Sequence, residues 1–488
     1  MRAILLGWLT VSLCACLGGG LSPQADPAAA FVEAEAGAPF PVAAPKSFGS
    51  RSGYLVVRER HGDPASRRIR LPVVVINAKN PSGRPPVLFL AGGPGSSGLS
   101  AAAYPGAYPW TTDRDFVVLG QRGTQDAEPS LLCEDYLEAL GSEGAGTSDL
   151  VDAAAACRER YERSGVDLSA YHSAASASDI ESLRIALGVD QWSLYGLSYG
   201  TRLALTYARD YPHGVASMVL DSPLPHTAVY DDESPGNYRD VLRRIGDACA
   251  ASAPCNEAYP DVFARFDDAL AGLSSKPWEI RFASGETRAV EPSELAALPG
   301  AWSPSAVARA PRVMDAVARR DASVVAPLLK RASSPSEFAW GMRLSVWCSE
   351  AAPKSRPGSA RAEAGAFAGL DGAVVPPEVC SAWNVRERPR RERRAARSDA
   401  PTLVIAGEYD ANTPPQWAFL AAEPLSNGAV AIIPFGGHTE TTNWGGDGCA
   451  MRIAAQFFED ERAFLARDGE AAPCLAERSP PDFVLPRR

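Results

Sequence analysis

Several features that would assign the chain to a common class of protein are missing. The 488 residues hold 48 Lys and Arg against 58 Asp and Glu, so the chain lacks the basic excess of nucleic-acid binders, and we expect no nucleic-acid partner. After residue 17, no run is long and apolar enough for a transmembrane helix, which needs about 20 such residues. Cys-x-x-Cys pairs and His-rich clusters are also missing, so we predict no metal site and no cofactor.

The first residues have the pattern of an export signal. Met1-Arg2 is followed by an apolar run over residues 3–17, and a basic start before such a run is typical of a secretory signal peptide. Leu13-Cys14-Ala15-Cys16 resembles the cleavage box of bacterial lipoproteins. By this resemblance, Cys16 would become the lipidated N-terminus of the mature protein. We therefore predict a signal peptide over 1–17 and an exported protein. It is either a cell-envelope lipoprotein anchored to a membrane through Cys16 or a secreted protein.

The remaining cysteines fit a set of disulfides. Eight of the ten lie after the signal, and an even number in an exported chain indicates disulfide pairing. Sequential pairing is the simplest hypothesis because it closes four short loops. It predicts the disulfides Cys133–Cys157, Cys249–Cys255, Cys348–Cys380 and Cys449–Cys474.

Short apolar runs alternate with helix-like segments along most of the chain. The runs are residues 54–60, 69–77, 87–90, 116–119, 193–195, 217–220, 402–405 and 429–433. Continuous apolar strands separated by helices indicate an α/β protein with a mostly parallel sheet and helices on both faces.

The alternation stops between Asp221 and Thr402, which divides the chain into parts. The sequence predicts a flexible tether over 18–50 and the first part of the core over 51–225. A mainly helical lid is inserted over 226–397, and the second part of the core follows over 398–478. The lid ends in seven arginines within residues 386–397, which we interpret as a solvated hinge.

Gly196-Leu197-Ser198-Tyr199-Gly200 fits the G-x-S-x-G nucleophile elbow. The motif follows a predicted strand and opens a predicted helix, as the elbow of the α/β-hydrolase fold requires. Its glycines permit the tight turn and leave room for the neighbouring backbone. The sequence therefore predicts an α/β-hydrolase fold with Ser198 as the nucleophile.

A serine nucleophile needs a base, and the base needs an acid to orient it. His438 follows the last predicted strand and would face the elbow, whereas His61 and His213 are expected at the surface. The acid should precede the histidine in the chain. Asp410 follows the preceding strand and is the predicted acid; Glu408 and Asp221 are its competitors.

Backbone N–H groups should stabilise the oxyanion that forms when a hydroxyl attacks a carbonyl. The amide of Tyr199, directly after the nucleophile, is one predicted donor. The other should come from the glycine-rich turn Ala91-Gly92-Gly93-Pro94-Gly95, and Gly93 is our choice.

Together these motifs resemble the proline-iminopeptidase and tripeptidyl-aminopeptidase family of α/β-hydrolases. The matching pieces are GGPG at 92–95, QRGT at 121–124, GLSYGTRLALTYA at 196–208, GEYDANTPP at 407–415 and GGH at 436–438. The tail with Cys449 and Cys474 resembles the C-terminal region of the secreted tripeptidyl-aminopeptidase-like (TAP-like) members. One departure is Gly120, since family members commonly have an acidic residue before QRG.

The resemblance implies peptide substrates with a free N-terminus and an acyl-enzyme route. It also implies acidic lid residues that bind the substrate's ammonium group. Glu350 is the best positional match, with Asp231, Asp232 and Glu233 as weaker ones. A desolvated ammonium group needs a paired carboxylate.

Other functions remain open at this stage. An esterase or lipase-like hydrolase could use the same triad, because fold and triad do not select the leaving group. A non-catalytic binding protein with this fold is a remoter alternative, disfavoured by the complete set of Ser198, Asp410 and His438.

Overall fold

A nine-stranded, mostly parallel sheet forms the centre of the computed structural model, which describes residues 25–35, 39–142, 146–283, 285–300, 304–329, 338–354, 367, 375–466 and 473–486. The predicted signal peptide and Cys16 lie outside these residues. The described residues form nine strands in this sheet and two, β8 and β9, in a separate hairpin. In chain order the strands are β1 (Ala30–Glu33), β2 (Ser50–Arg58), β3 (Arg68–Ile76), β4 (Val87–Leu90), β5 (Phe116–Leu119), β6 (Trp192–Leu197), β7 (Val215–Asp221), β8 (Trp278–Arg281), β9 (Thr287–Val290), β10 (Thr402–Gly407) and β11 (Gly428–Ile433).

The strand order in the sheet is β1-β2-β3-β5-β4-β6-β7-β10-β11. The pairs β1–β2, β2–β3 and β3–β5 are antiparallel, and all later pairs are parallel. Every residue of β4, β5, β6 and β10 is buried, because helices cover both faces of a parallel sheet. The predicted α/β-hydrolase architecture is therefore observed, and each predicted strand is present.

Helices fill the connections between the strands. They are α1 (Glu134–Gly141), α2 (Thr147–Arg163), α3 (Ser173–Leu187), α4 (Tyr199–Asp210), α5 (Tyr230–Ala251), α6 (Ala253–Ala258), α7 (Val262–Gly272), α8 (Pro292–Ala297), α9 (Pro304–Ala318), α10 (Ala322–Leu329), α11 (Trp340–Val346), α12 (Pro377–Trp383), α13 (Pro415–Ala422), α14 (Cys449–Glu459), α15 (Glu461–Ala466) and α16 (Pro473–Ala476). A π-helical turn, Trp347–Ala351, continues α11.

The insertion between β7 and β10 is mainly helical and contains α5 to α12 among the described residues. Side chains such as Leu242, Phe266 and Met314 form a hydrophobic cluster, which also includes Tyr409 and Ala411 from the segment after β10. It also holds an antiparallel hairpin, β8–β9, that the sequence analysis missed. With four residues in each strand, the hairpin gives too short an alternation of buried and exposed side chains to stand out from a helical pattern.

The flexible tether predicted over 18–50 is wrong for its described N-terminal part. β1 pairs antiparallel with β2, placing Ala30 opposite Val56. The buried carboxylate of Asp26 accepts hydrogen bonds from Arg58 N at 2.7 Å and Arg58 Nη1 at 2.6 Å. An edge strand of four residues within an Ala- and Pro-rich segment has little pattern to mark it, and it is stabilised by these contacts with a distant part of the chain.

All four sequential disulfides are present in the structure. Cys133–Cys157 joins the start of α1 to α2, and Cys249–Cys255 joins α5 to α6. Cys348–Cys380 joins the π-helical turn to α12, and Cys449–Cys474 joins α14 to α16. The last two disulfides therefore fix the ends of the insertion and of the C-terminal region.

Among the described residues, no helix has the length and apolar character needed to cross a membrane. In the same part of the chain, no group of three or more His, Cys, Asp or Glu side chains is arranged to hold a metal ion.

Candidate active site

Ser198 lies at a sharp turn between β6 and α4. Its φ of 54° and ψ of −121° fall outside the regions that non-glycine residues favour. A Cβ on Gly196 would lie 2.7 Å from Gly200 O, and a Cβ on Gly200 would overlap Leu90 O. The motif therefore needs both glycines, since the turn packs directly on the neighbouring strand β4. Ser198 itself is half-buried.

His438 and Asp410 form a hydrogen-bonded pair. The Nδ1 atom of His438 lies 2.8 Å from Asp410 Oδ2. Thr413 Oγ1 donates to the same oxygen at 2.8 Å, and the amides of Asn412 and Thr413 each donate to Oδ1 at 2.9 Å. Because the carboxylate accepts the Nδ1 proton, the Nε2 atom of the neutral ring is left as a base. Thr413 is not among the site residues predicted from the sequence.

Contacts with the end of β7 bring the histidine loop to the elbow. The amide of Ser198 donates to Asp221 O at 2.9 Å. The adjacent Ser222 Oγ accepts a hydrogen bond of 2.8 Å from the amide of Thr439. The backbone of Ser198 and that of Thr439, the residue after His438, are thus both bound to the end of β7. This is the carboxyl edge of the sheet, where ligands bind in α/β folds.

The Ser198 hydroxyl forms no hydrogen bond with any residue that the structure describes. Proton transfer to Nε2 of His438 therefore requires the two atoms to approach. Hydrogen bonds between catalytic groups are often long without substrate and shorten in the substrate complex.

The buried pair has shifted proton affinities. Burial lowers the pKa of His438, but the charge and hydrogen bond of Asp410 outweigh it and hold this pKa above the ordinary value. Burial raises the pKa of Asp410, but the charge of His438 and the hydrogen bonds from His438 and Thr413 bring it below the ordinary value. The carboxylate is therefore ionised in the range where the imidazole titrates.

The two competing acids are engaged elsewhere. Glu408 Oε2 accepts a hydrogen bond from Phe435 N at 2.9 Å. Asp221 Oδ2 accepts hydrogen bonds from the amide and hydroxyl of Thr441 at 2.8 and 2.5 Å. Burial raises the pKa of Asp221 to about 6. Of the three acids considered, Asp410 is the one hydrogen-bonded to the imidazole.

The glycine-rich turn after β4 lies against Ser198. A Cβ on Gly92 would be 3.0 Å from Ser198 Cβ, and Gly93 has a φ of 112°. Arg343 Nη1 donates to Gly93 O at 2.9 Å, which fixes the turn from the insertion. The amide of Tyr199, at the first position of α4, is the other predicted oxyanion donor. The turn and the helix start therefore flank Ser198.

Glu350 is buried in a polar network beside the elbow. Its carboxylate pairs with Arg202 Nε at 3.1 Å and accepts hydrogen bonds from Ser173 N at 2.6 Å and Ser173 Oγ at 2.9 Å. Ser173 Oγ also lies 2.9 Å from the Tyr199 hydroxyl. Sequence reasoning missed Ser173 and Arg202, since neither belongs to a motif that specifies a contact with the insertion.

The acidic residues at the start of α5 are likewise hydrogen-bonded. Asp231 Oδ2 accepts from Trp347 Nε1 at 2.9 Å, and Glu233 Oε2 accepts from Trp417 Nε1 at 2.8 Å. Both indoles anchor this end of α5 next to the network around Glu350.

Arg122 of the QRGT motif is held by a different acid from the one expected in the family. Its Nε and Nη2 atoms donate to the two oxygens of buried Asp179, each at 2.7 Å. A Cβ on Gly120 would lie 2.7 Å from Pro72 Cγ, so a side chain there would collide with β3. His61 lies 2.8 Å from Asp179 Oδ1 through Nε2 and is largely buried. The expectation that His61 is a surface residue is wrong, because its side chain packs against buried Asp179.

The remaining histidines take structural positions. His213 has an exposed side chain, as predicted, and contacts Glu181. His172 precedes α3 and accepts a hydrogen bond from Ala175 N through Nδ1 at 3.1 Å. His226 is buried and lies 2.9 Å from Thr206 Oγ1.

Curated relatives with similar sequences are named as peptidases. The tripeptidyl aminopeptidase of Streptomyces coelicolor is 32% identical over 186 residues, 35% of this chain and 34% of the relative. Serine protease Hip1 of Mycobacterium tuberculosis is 28% identical over 185 residues, 34% of this chain and 35% of the relative. The proline iminopeptidase of Neisseria meningitidis is 30% identical over 237 residues, 46% of this chain and 60% of the relative. The first two matches span about a third of each relative's length.

Two family models and a solved structure are also similar to this chain. A solved proline iminopeptidase from Mycobacterium smegmatis has a TM-score of 0.38 at 16% identity, covering 85% of this chain and 100% of that one. A model described as alpha/beta hydrolase fold matches residues 85–254, and one described as TAP-like protein matches residues 371–463. The strand order and these two matches agree with the sequence motifs: the chain has the α/β-hydrolase fold, and its C-terminal region is similar to TAP-like proteins.

Proposed function

We propose that this chain is an exported serine peptidase that releases single residues or tripeptides from peptides with a free N-terminus. The observation that carries the proposal is the 2.8 Å bond between His438 and Asp410 at the sheet edge that also presents Ser198. The names of the curated relatives support peptide substrates.

The reaction would follow an acyl-enzyme route. Ser198 Oγ attacks the peptide carbonyl carbon while His438 Nε2 takes the hydroxyl proton, and Asp410 stabilises the resulting imidazolium. The amides of Tyr199 and Gly93 donate hydrogen bonds to the carbonyl oxygen as it becomes negative. The C–N bond then breaks, and His438 returns the proton to the leaving amine. Water, deprotonated by His438, hydrolyses the ester on Ser198.

Glu350 is our candidate for binding the substrate's ammonium group. It borders a small cavity with Tyr199, Trp347 and Tyr230, and its link through Ser173 to the Tyr199 hydroxyl ties it to the elbow. Its carboxylate already pairs with Arg202, so an ammonium group would share it with the guanidinium. A substrate without an N-terminal charge would lack this interaction.

The proposal of export rests on two features. The predicted signal over 1–17, with Cys16 as the candidate lipid attachment site, would direct the chain out of the cytoplasm. The four disulfides agree with an oxidising compartment, where such bonds persist.

The test of the proposed activity is a panel of aminoacyl and tripeptidyl amides, each with a free and with an acetylated N-terminus. We expect hydrolysis of the free forms, with the length released per cut read by mass spectrometry. Ser198→Ala is the control and should leave only background. Equal hydrolysis of free and acetylated peptides would refute the aminopeptidase assignment. Hydrolysis of acyl esters alone would favour an esterase.

The pH profile should report the state of His438. The imidazole acts as a base only when neutral, and Asp410 holds its pKa above 6.5, the ordinary value. We therefore expect kcat/KM to fall on the acid side with a midpoint above 6.5, measured on the best peptide of the panel. The pKa of Asp410 is lowered, so this carboxylate should add no second step near neutrality. An acid limb at about pH 5 or below would contradict His438 as the base.

Glu350→Gln should weaken the recognition of charged N-termini. Loss of a charge-assisted hydrogen bond should raise KM for a free-N-terminus peptide by about tenfold or more. A small acyl ester without an amine is the matched substrate, and its KM should change little. Thermal melting should accompany the kinetics, because Arg202 loses its buried partner. Equal changes for both substrates would exclude a role in ammonium binding.

A further inference from the structure

A second cavity lies away from Ser198 and is lined by arginines. It has a volume of about 400 Å³. Its walls are the turn after β2, the start of α3 and the arginine-rich segment 386–397, and no residue of the Ser198, Asp410 and His438 set lines it. We call it the arginine cavity. Four arginines line it: Arg60, Arg386, Arg388 and Arg391.

Two of the four guanidinium groups are already paired with carboxylates of the cavity wall. Arg60 forms an ion pair with Asp167. Arg388 forms two bonds with Glu392, at 3.0 and 2.8 Å. Within each pair the two opposite charges neutralise each other, and the contact holds both side chains at the rim of the cavity.

The other two guanidinium groups have no described partner. Within the part of the chain that the structure describes, the side chains of Arg386 and Arg391 form neither an ion pair nor a hydrogen bond, and both residues are exposed. The remaining wall carboxyl group, Glu59, is buried and accepts hydrogen bonds from the Tyr171 hydroxyl at 2.7 Å and Asp167 N at 3.2 Å. The wall therefore carries four arginines beside three carboxyl groups, and among the described residues neither Arg386 nor Arg391 has an ion-pair partner.

The inner wall adds a polar atom without a hydrogen bond. The His61 side chain is 10% exposed, and its Nε2 atom lies 2.8 Å from Asp179 Oδ1 and 2.9 Å from Arg122 Nη2. Its Nδ1 atom is buried and has no hydrogen-bond partner among the described residues, and such groups are rare in folded proteins. The neighbouring His172 is neutral, because burial and the charge of Arg388 hold its pKa well below the ordinary value.

We propose that the arginine cavity binds a small organic anion bearing a carboxylate or a phosphate group, held by Arg386 and Arg391. The planar guanidinium group matches both of these oxyanions with two parallel hydrogen bonds. The volume lies in the range of small-molecule sites, about 300–1,000 Å³, and exceeds the needs of an inorganic ion. This site is independent of the proposed peptidase activity.

The test is calorimetric titration of the full chain at low ionic strength, where exposed charges are least screened. Citrate serves as the carboxylate probe and glucose 6-phosphate as the phosphate probe. We expect saturable one-to-one binding of at least one of them. The double variant Arg386→Ala/Arg391→Ala should weaken that binding by at least about tenfold.

The matched control removes two positive charges from the same segment. Arg394 and Arg397 are exposed and do not line the cavity, so Arg394→Ala/Arg397→Ala should keep the binding within about twofold. Thermal melting checks that both variants fold. The pair Arg386→Lys/Arg391→Lys keeps the charge and should recover part of the affinity. Absence of saturable binding of both probes up to about 10 mM would overturn the proposal. Equal weakening by the two alanine pairs would overturn it as well.

Discussion

Asp410→Asn is expected to lower kcat by about 10³–10⁴-fold while leaving the fold intact. The asparagine amide can still occupy the site next to His438 Nδ1, but it carries no charge to stabilise the imidazolium. It can also donate a hydrogen bond to Nδ1, which would place the ring proton on Nε2 and remove the base. The measurement is steady-state hydrolysis of the best peptide substrate, with melting temperature recorded in parallel.

The neighbouring acid supplies the control for this experiment. Glu408 precedes Asp410 by two residues and is hydrogen-bonded to Phe435 N rather than to His438. Glu408→Gln should therefore change kcat by less than about threefold, as for a substitution outside the catalytic groups. A loss smaller than about tenfold in Asp410→Asn would reassign the role of the acid.

Gly407→Ala should reduce kcat by about 100-fold through the position of the histidine loop. A Cβ on Gly407 would overlap Gly437 O and lie 2.5 Å from Gly436 O. The end of β10 and the turn before His438 must then separate, which moves the imidazole relative to Asp410. Displacements of about 1 Å in a catalytic arrangement cost on the order of 10²-fold in rate.

Gly445→Ala is the matched substitution in the loop that follows His438. A Cβ at Gly445 meets no atom within 4 Å, so we expect kcat within about twofold of the parent. Full activity in Gly407→Ala would contradict the close contact between the two strand ends. Equal losses in both variants would indicate that the loop tolerates no added side chain.

The parts of the site that sequence could predict are those that sit at strand ends. Ser198 directly follows β6, Asp410 lies three residues after the end of β10, and His438 lies five residues after the end of β11. The carboxyl ends of parallel strands meet at one edge of the sheet. Local patterns therefore suffice to place them together. The sequential disulfides were accessible for a similar reason, since each closes a short loop.

The parts that sequence missed depend on contacts between distant segments. Ser173 and Arg202 meet Glu350 only because the insertion folds back on α3 and α4. His61 is drawn inward by Asp179, which lies 118 residues later in the chain. Such pairings leave no periodic signal, because each partner alone reads as an ordinary surface or helix residue.

The measurement that tests the central claim most directly is covalent labelling with a fluorophosphonate. The nucleophile displaces fluoride from the probe's phosphorus atom and keeps the phosphonyl group, which peptide mapping by mass spectrometry then locates. We expect a single adduct on the peptide containing Ser198, no adduct in Ser198→Ala, and labelling slowed by about 10²-fold or more in His438→Ala. An adduct on another residue, or an unchanged labelling rate in His438→Ala, would contradict the account.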